Sequence, residues 1–222
     1  MKVELIEVFG SDEMVCNAAR VSFGKLASNY SEKSNKGLIN YLATHNHISP
    51  FFHPQLQFRI ECPIYVERQL QKTQVGVAIN SISGRYVDFS DTYTHITEWR
   101  KQSESSKQGS EGLIDDQQSA FETEYEVIEY CKEAYQKLIS LGVCKEQART
   151  ILPLCLNTQF IWTGSLAAFI RLCKLRLKPD AQVETKEVVA EMLLFVAKLE
   201  GNPFKMSLEA FELCLNTVQS NP

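Results

Sequence analysis

Hydrophobic and polar positions alternate most regularly over residues 54–62. Four apolar residues share one face of this segment: Leu56, Phe58, Ile60 and Cys62. A period of two is typical of a strand with one buried face, and we therefore predict a strand here. Further strands are predicted at residues 2–8, 94–99 and 154–162.

Apolar residues recur at helical spacing through much of the remaining chain. The pattern predicts helices from Ser11 to Gly24, from about Ser34 to His47, from Pro63 to Thr73, and over residues 114–140, 144–151, 164–176, 180–200 and 204–217. Ser11 is the expected N-cap of the first helix, and Asp180 and Ser207 are expected cap or first-turn residues. Residues 80–86 and 101–112 are expected as loops; the second is the candidate flexible stretch, and a surface loop is its favoured interpretation. Strands and helices mixed without βαβ regularity predict a single α+β domain over residues 1–222, with an antiparallel or mixed sheet flanked by helices.

Charge and composition narrow the possible functions. The 222 residues contain 23 Lys and Arg against 27 Asp and Glu, a net charge of −4, which argues against a protein that coats a nucleic acid polymer. No apolar run approaches membrane length, and the first residues are too charged for a signal peptide. Seven cysteines without a Cys-x-x-Cys pair suggest reduced thiols. We therefore expect a soluble, cytoplasmic protein that does not bind membranes.

Several cationic residues lie in or beside apolar segments: Arg68, Lys72, Arg85, Arg149 and Arg176. A guanidinium in such a place needs a carboxylate or a phosphate, because burying an unpaired charge is costly. Internal ion pairs with Glu67, Glu146 or Glu184 are one interpretation, and an anionic ligand is the other. The segment 81–85 favours the ligand, because two serines, a glycine and an arginine can together surround a phosphate. A serine-rich turn is its structural alternative.

Other kinds of site have weaker support in the sequence. His45, His47 and His53 lack an acidic residue at ligand spacing, so we expect loop histidines and no metal. No cysteine has a neighbouring histidine or helix N-terminus to activate it, so we expect the thiols in the core. Neither a Walker loop nor a Gly-x-Gly-x-x-Gly motif is present.

Five segments in this order resemble the flavin-dependent thymidylate synthases, in a form similar to those carried by phages. They span about residues 15–190: Ala18–Gly24, His47–Phe51, Arg68–Gln69 with Asn80–Tyr86, Glu146–Arg149 leading into Leu152–Pro153, and Leu175–Arg176 with Ala181–Gln182. The resemblance implies a thymidylate synthase complementing protein-like fold. It also implies a homotetramer whose active sites combine residues of several subunits and hold FAD. The implied reaction is methylation of dUMP to dTMP, with methylenetetrahydrofolate as the carbon donor and NADPH reducing the flavin. The implied location is the cytoplasm of a bacterium or of a phage-infected host cell.

The same resemblance implies roles for individual residues. The dUMP-binding positions are Gln69, Lys72, Ser81, Ser83, Gly84, Arg85, Arg149 and Arg176. Arg176 is the catalytic candidate, because a cation beside the uracil favours ionisation of its imide. The cofactor-binding positions are Ser22, His47, Ser49, Lys72, Thr73, Gln74, Ser165 and Arg171.

This chain departs from the family pattern at four places. The Arg-His-Arg motif that precedes Ser83 is absent. Counting back from Ser83 places residues 73–75 at its position, and counting forward from Arg68–Gln69 places residues 72–74 there. Ser81 replaces a glutamate. Ser165 and Ala167 replace an Asn-x-Arg pair, and Arg171 stands at a neutral or histidine position. Our first hypothesis is therefore a thymidylate synthase in which Lys72 and Arg171 restore the lost positive charge. The alternatives are a dUMP-binding homologue without methylation activity and a flavin-dependent variant that hydroxymethylates a pyrimidine nucleotide.

Overall fold

An antiparallel four-stranded sheet lies at the centre of the protein, in a computed structural model that describes residues 1–88 and 92–213. In the order β1-β2-β6-β3, its strands are β1 (Lys2–Phe9), β2 (Gln55–Pro63), β6 (Asn157–Ser165) and β3 (Val77–Ser81). Strands β4 (Arg100–Gln102) and β5 (Ser110–Leu113) form a separate hairpin. The helices are α1 (Asp12–Arg20), α2 (Glu32–Thr44), α3 (Ile64–Leu70), α4 (Gln117–Ser140), α5 (Lys145–Ala148), α6 (Leu166–Arg176), α7 (Val183–Ala197) and α8 (Lys205–Ala210). The predicted α+β class, with a sheet flanked by helices, is confirmed.

The core is built on the pairing of β2 with β6. The four residues predicted to share a buried face of β2 are all fully buried. On that face Phe58 pairs with Trp162 and Ile60 pairs with Phe160. Gly164 makes room for the indole, because a Cβ there would lie 2.3 Å from a ring carbon of Trp162. Each large apolar side chain buried in this way contributes about 1.5–3 kcal/mol.

The region between β3 and α4 differs from its prediction. The strand predicted over residues 94–99 does not form, because side chains of α4 take the backbone hydrogen bonds. The amide of Gln117 bonds both the N–H and the C=O of Trp99, at 2.9 and 2.7 Å, and Glu124 accepts from the N–H of Ile96 at 3.1 Å. The next segment, predicted as a surface loop over 101–112, overlaps the paired strands β4 and β5.

Several predicted boundaries also move. The loop predicted over 80–86 begins two residues later, since Asn80 and Ser81 complete β3. Helix α7 starts at Val183 with Gln182 at its N-cap position, so Asp180 is not its cap. Helix α8 ends at Ala210, and residues 214–217 of the predicted last helix lie outside the described residues. The extent of a single domain over 1–222 stays a prediction.

Cysteine placement agrees with the core prediction in part. Cys16, Cys62 and Cys173 are buried, and burial raises the pKa of Cys16 to about 11 and that of Cys62 to about 12. Cys144, in contrast, is exposed at the N-cap of α5, and Cys214 lies outside the described residues. Within the described residues, no helix is both long enough and apolar enough to cross a membrane.

Asp12 connects the two ends of the described chain. Its carboxylate accepts hydrogen bonds from the N–H of Met206 at 2.6 Å and from both the N–H (3.1 Å) and the hydroxyl of Ser207. These N–H groups open α8, so the cap of this helix comes from α1, and Ser207 donates to the cap instead of providing it. Burial raises the pKa of Asp12, while these hydrogen bonds act in the opposite direction.

We predict that Asp12→Ala lowers the free energy of unfolding by about 2 kcal/mol, because two backbone N–H groups at the start of α8 lose their acceptor. Urea denaturation at pH 7 measures this change. Glu13→Ala is the matched control, since Glu13 is an exposed acidic residue in the same turn, and we expect less than about 0.5 kcal/mol there. Equal losses in the two variants would contradict the capping role.

Glu184 attaches the β4–β5 hairpin to α7 through its ion pair with Arg100, at 2.6 Å. Burial alone would raise the pKa of Glu184, but the hydrogen bond from Arg100 and those from its other partners outweigh burial, and the pKa lies below the ordinary value of 4.5. A lowered folded-state pKa stabilises the fold above the unfolded-state pKa, and this contribution is lost as pH falls through the folded-state value.

We therefore predict that Glu184→Gln destabilises the protein by about 2 kcal/mol at pH 7 and that the difference from wild type shrinks below pH 4.5. Urea midpoints measured from pH 7 to pH 3.5 test this. Glu191→Gln, two turns further along the same helix and outside the ion pairs of the described residues, is the control. A difference that stays constant across this pH range would show that the ionised carboxylate does not tie down the hairpin.

Candidate active site

Two predicted nucleotide-binding residues meet where α3 and α6 end. The Arg176 guanidinium donates to the backbone carbonyl of Gln69 at 2.6 Å and to its side-chain Oε1 at 3.4 Å. The Gln69 amide in turn donates to Oε1 of Gln182, at the start of α7. Arg176 and Gln69 are 107 residues apart in the chain, so the tertiary fold creates this cluster.

The positive charge of Arg176 has no carboxylate partner among residues 1–88 and 92–213. Its Nε is buried and, within the same ranges, has no hydrogen-bond partner. Burial lowers the pKa of this guanidinium below its ordinary value of 12.5. An uncompensated and partly desolvated cation is suited to stabilise negative charge on a ligand.

A cavity of about 840 Å³ lies next to this cluster, and Gln69 and Gln182 line it. Its surface is mostly apolar and includes Tyr65 and Trp99. The Tyr65 hydroxyl and the Trp99 indole N–H are buried without a hydrogen-bond partner in the described part of the chain. Mostly apolar surfaces with a few polar groups are typical of small-molecule sites, whose volumes are about 300–1,000 Å³.

The serine-rich loop follows directly from β3. The N–H of Ile82 donates to the carbonyl of Gln159 at 2.8 Å, which fixes the start of the loop to β6. The Ser83 hydroxyl accepts from the backbone N–H of Arg85 at 3.3 Å and from its Nε at 3.4 Å. Gly84 is buried, while the Arg85 side chain is exposed. The loop therefore presents a guanidinium, a hydroxyl and backbone groups together.

Arg149 and Lys72 have exposed side chains outside the hydrogen bonds of the Gln69–Arg176 pair. Arg149 is exposed in the 3₁₀ turn after α5, where its Nε donates to the carbonyl of Glu146 at 3.3 Å. Lys72 is exposed in the turn that follows α3. The backbone N–H of Lys72 donates to the carbonyl of Gln69 at 3.3 Å, but within the described residues no side-chain hydrogen bond joins Lys72, Arg85 or Arg149 to the pair. Within the described chain, Gln69 and Arg176 therefore form one cluster, and the cationic groups of Lys72, Arg85 and Arg149 are not part of it.

The internal ion pairs considered for the arginines, with Glu67, Glu146 or Glu184, are not observed among the described residues. Glu184 pairs with Arg100, which the prediction did not include. Glu67 accepts hydrogen bonds from Ser81 and Gln71, and Glu146 offers Arg149 only its backbone carbonyl. Across ranges 1–88 and 92–213, neither Arg85 nor Arg149 lies in an ion pair with a carboxylate. Both guanidinium groups therefore remain able to bind an external anion.

Two predicted cofactor-binding residues, Ser165 and Arg171, lie against the turn that precedes β3. The turn before β3 places Gly76 against Ser165, and a Cβ on Gly76 would lie 2.6 Å from the Ser165 hydroxyl. Six residues after Ser165, nearly two turns along α6, Arg171 reaches this turn and donates to the carbonyl of Val75 at 2.9 Å. Phe52, in the 3₁₀ helix that begins at Ser49, packs on the same glycine.

A pocket of about 440 Å³ opens beside this contact. It is lined by Asn46, Ile48, Phe52, Arg171, Lys174 and Phe211 among others. In the described residues, neither cation has a carboxylate partner, and the Lys174 ammonium lies 4.9 Å from the centre of the Phe211 ring. Two cations above apolar and aromatic side chains fit an anionic group that carries rings, as a flavin dinucleotide does.

The remaining predicted cofactor residues differ in accessibility. His47, Ser49, Gln74 and Ser22 are exposed, and His47 adjoins the pocket through the turn that contains Asn46 and Ile48. Thr73 is buried. Ser165 is also buried, and its hydroxyl accepts from the N–H of Ala168 at 3.2 Å, so in this chain it caps α6. In the described part of the chain, no group of three His, Cys, Asp or Glu side chains could hold a metal ion.

Sequence reasoning missed several residues near these sites, Lys174 and Phe52 among them. Gln182 belongs to one of the matched motifs, and this membership could have indicated that it lies near Gln69. Tyr65 and Trp99 appear in the sequence as ordinary apolar positions. Glu67 was considered only as an ion-pair partner, and nothing local indicated that Ser81, 14 residues away, would bond to it.

Comparison with known proteins gives matches over most of the chain. Residues 4–199 match the family model described as thymidylate synthase complementing protein. The flavin-dependent thymidylate synthase of one strain of Thermus thermophilus is 37% identical over 186 residues, which cover 83% of this chain and 67% of that protein. The enzyme of the same description from Kosmotoga olearia is 35% identical over 211 residues, covering 94% of this chain and 89% of that protein.

A solved structure is similar over nearly the whole chain. It is described as the UMP/dUMP methylase PolB from Streptomyces cacaoi bound with 5-Br dUMP, with a TM-score of 0.84 and 28% identity over 95% of this chain and 94% of that chain. The family resemblance drawn from the sequence motifs is thereby confirmed, while its phage-like form stays a prediction. This chain belongs to the thymidylate synthase complementing protein family, the family of the flavin-dependent thymidylate synthases.

Proposed function

We propose that this protein methylates dUMP to dTMP, with methylenetetrahydrofolate as the carbon donor and with FAD that is reduced by NADPH. The observation that carries the proposal is the Gln69–Arg176 pair, which joins two family motifs next to a large cavity. Family membership and the dUMP analogue named with the similar methylase structure support the choice of substrate.

Nucleotide binding in this proposal rests on the cations without internal partners. The phosphate is bound by Arg85, the Ser83 hydroxyl, the backbone at Gly84 and Arg149, because a guanidinium offers paired donors to phosphate oxygens. Arg85 and Arg149 are exposed and do not contact Arg176 in the described chain, which agrees with sites completed by other subunits of a homotetramer. Tyr86, at 74% exposure, adds an aromatic surface beside the loop for such a contact.

Arg176 performs the electrostatic step in this proposal. Methyl transfer requires electron density at C5 of the uracil ring, and ionisation of the imide increases that density. A partly desolvated guanidinium lowers the free energy of the imide anion more than a solvated cation would. Gln69 holds the guanidinium in place through its backbone carbonyl and amide oxygens.

The FAD site of this proposal lies on a different face of α6 from Arg176, because Arg171 and Lys174 precede Arg176 by five and two residues on a helix of 3.6 residues per turn. Arg171 and Lys174 bind the phosphates of the dinucleotide, and Ile48 and Phe52 pack against its rings. Bound FAD, once reduced by NADPH, would supply the hydride for the carbon that becomes the methyl group. Arg171 reaches the backbone at Val75, one of the positions that align with the missing Arg-His-Arg motif, and so returns positive charge to that turn.

UMP is a second candidate substrate, because the structures similar to this chain include the methylase PolB with 5-Br UMP as well as with 5-Br dUMP, the former at a TM-score of 0.81. A direct assay separates the possibilities. Purified protein is incubated with methylenetetrahydrofolate, NADPH, FAD and either dUMP or UMP, and the product is analysed by mass spectrometry. We expect a flavin absorbance peak in the protein and dTMP from dUMP.

Each other outcome of this assay contradicts part of the proposal. A product heavier than dTMP by one oxygen would indicate hydroxymethyl transfer. Faster turnover of UMP than of dUMP would identify UMP as the preferred substrate. Binding of dUMP without flavin or turnover would identify a nucleotide-binding homologue, and a mass consistent with a monomer in light scattering would exclude the homotetramer.

Mutations should separate the roles of two arginines. Arg176→Ala should reduce kcat about a hundredfold and change the dUMP Kd by less than about tenfold, because the charge acts mainly in the transition state. Arg149→Ala should raise the dUMP Kd at least about tenfold, since it removes a phosphate contact. Isothermal titration and steady-state kinetics measure both effects, and Lys145→Ala in α5 is the control for Arg149. An unchanged kcat in Arg176→Ala would contradict its role on the imide.

Flavin affinity tests the second site without an activity measurement. Arg171→Ala should weaken FAD binding at least about tenfold, measured by quenching of flavin fluorescence, and should leave dUMP binding unchanged. Lys178→Ala is the control, because Lys178 is exposed just beyond α6 and outside the pocket. Unchanged FAD affinity in Arg171→Ala would remove this residue from the cofactor site.

A further inference from the structure

Glu67 carries a buried carboxylate in the middle of α3. Only 7% of the residue is exposed, and no cation of the described ranges lies within ion-pair distance of it. Burying a carboxylate without a counter-ion is costly, and hydrogen bonds reduce that cost. The groups that donate these hydrogen bonds therefore indicate what the side chain does.

Both observed donors bond to the same oxygen. The Ser81 hydroxyl and the Gln71 amide, at 3.0 Å for the latter, donate to Oε1 of Glu67. Oε2 accepts no hydrogen bond from the residues that the structure describes, and it is not sealed from solvent. Gln71 lies one turn away on the same helix, whereas Ser81 belongs to β3. The contact with Ser81 is thus the one that joins two elements.

The position of Ser81 connects this bond to the nucleotide loop. Ser81 is the last residue of β3, and Ser83 and Arg85 follow within four residues. Ser83 organises the loop, because its carbonyl accepts from the N–H groups of Tyr86 at 3.0 Å and Val87 at 3.1 Å. The side-chain bond at Ser81 therefore adds a second anchor where the loop leaves the sheet, beside the bond of Ile82 to Gln159.

The same helix also holds the other group of nucleotide residues. Gln69, two residues after Glu67, holds Arg176. Helix α3 thus bonds to the loop through Glu67 and to the catalytic arginine through Gln69. In addition, Ser81 occupies the position of a glutamate in the resembled motif, so the structure places a carboxylate beside that position from a neighbouring helix.

We propose that Glu67 is a positioning residue that orients the loop of Ser83, Gly84 and Arg85 for the nucleotide phosphate through its hydrogen bond to Ser81. This inference rests on the proposed function, because it assumes that the loop binds the nucleotide. A bond to an ionised carboxylate is stronger than a neutral one, so it holds the loop more rigidly than a serine–glutamine contact would. The loop then loses less conformational entropy on binding.

A double-mutant cycle with dUMP tests the proposal by isothermal titration. Glu67→Ala and Ser81→Ala should each weaken dUMP binding about tenfold, and the double variant should bind no more weakly than the weaker single variant. Gln71→Ala is the matched control, because it removes the other donor to the same oxygen and leaves the loop contact intact. Its dUMP affinity should stay within about twofold of wild type.

Two further variants separate positioning from a general structural role. Glu67→Gln keeps an acceptor of the same shape, so it should fold if Glu67→Ala does not, with dUMP binding reduced about threefold. In Glu67→Ala with Ser81→Glu, the carboxylate comes from β3, and affinity should return to within about threefold of wild type. Thermal unfolding of every variant, followed by circular dichroism, shows whether the affinity changes follow stability.

The outcomes are distinct. Wild-type affinity in Glu67→Ala and Ser81→Ala would overturn this inference alone, as would a loss in Gln71→Ala as large as theirs. Additive losses in the double variant would show that the two residues act separately, and would also overturn it. Wild-type protein that does not bind dUMP would overturn the proposed function first, and this inference with it.

Discussion

The antiparallel pairing of β2 with β6 is the constraint on which the rest of the structure depends. It places Pro63 opposite Asn157 and Ser165 opposite Gln55, so α3 and α6 leave the two strands at opposite ends of the sheet. The 11 residues of α6 then run about 16 Å back along the sheet, at 1.5 Å per residue, and bring Arg176 to Gln69. A register shift of one residue would turn the core face of β2 toward solvent and separate these helices.

Two close backbone approaches make this arrangement possible. Gly164 leaves space for the Trp162 ring inside the sheet, and Gly76 lets the turn before β3 pass against Ser165 and Phe52. Gly76 has a φ of +77°, which an L side chain rarely adopts, so both its conformation and the available space favour glycine. The first contact supports the core, and the second brings the carbonyl of Val75 to Arg171. Core packing and the proposed cofactor pocket therefore share one set of contacts.

Local charge matters more here than the net charge of −4. Carboxylates near the candidate sites are engaged with groups of the protein itself, as Glu184 is with Arg100 and Glu67 is with Ser81. In the described ranges, Arg171 and Arg176 have backbone or amide oxygens as partners instead of carboxylates, so they keep their full attraction for anions. A mildly acidic chain can in this way present cationic positions to a nucleotide and to a dinucleotide cofactor.

Local patterns in the sequence determined the strand over Gln55–Pro63 and its buried face, most helices, the α+β class and the family. A two-residue or 3.6-residue period arises from neighbours in the chain, and so does the order of motifs. The tertiary structure alone decided the backbone partners of residues 96–99, the bond of Glu67 to Ser81, the cap that Asp12 gives α8 from 195 residues away, and the junction of Gln69 with Arg176. These contacts join segments that are distant in the chain, and no periodic pattern in the sequence indicates that they meet. The packing of helices on the sheet determines which polar groups become neighbours, and thereby which of the predicted residues can act together.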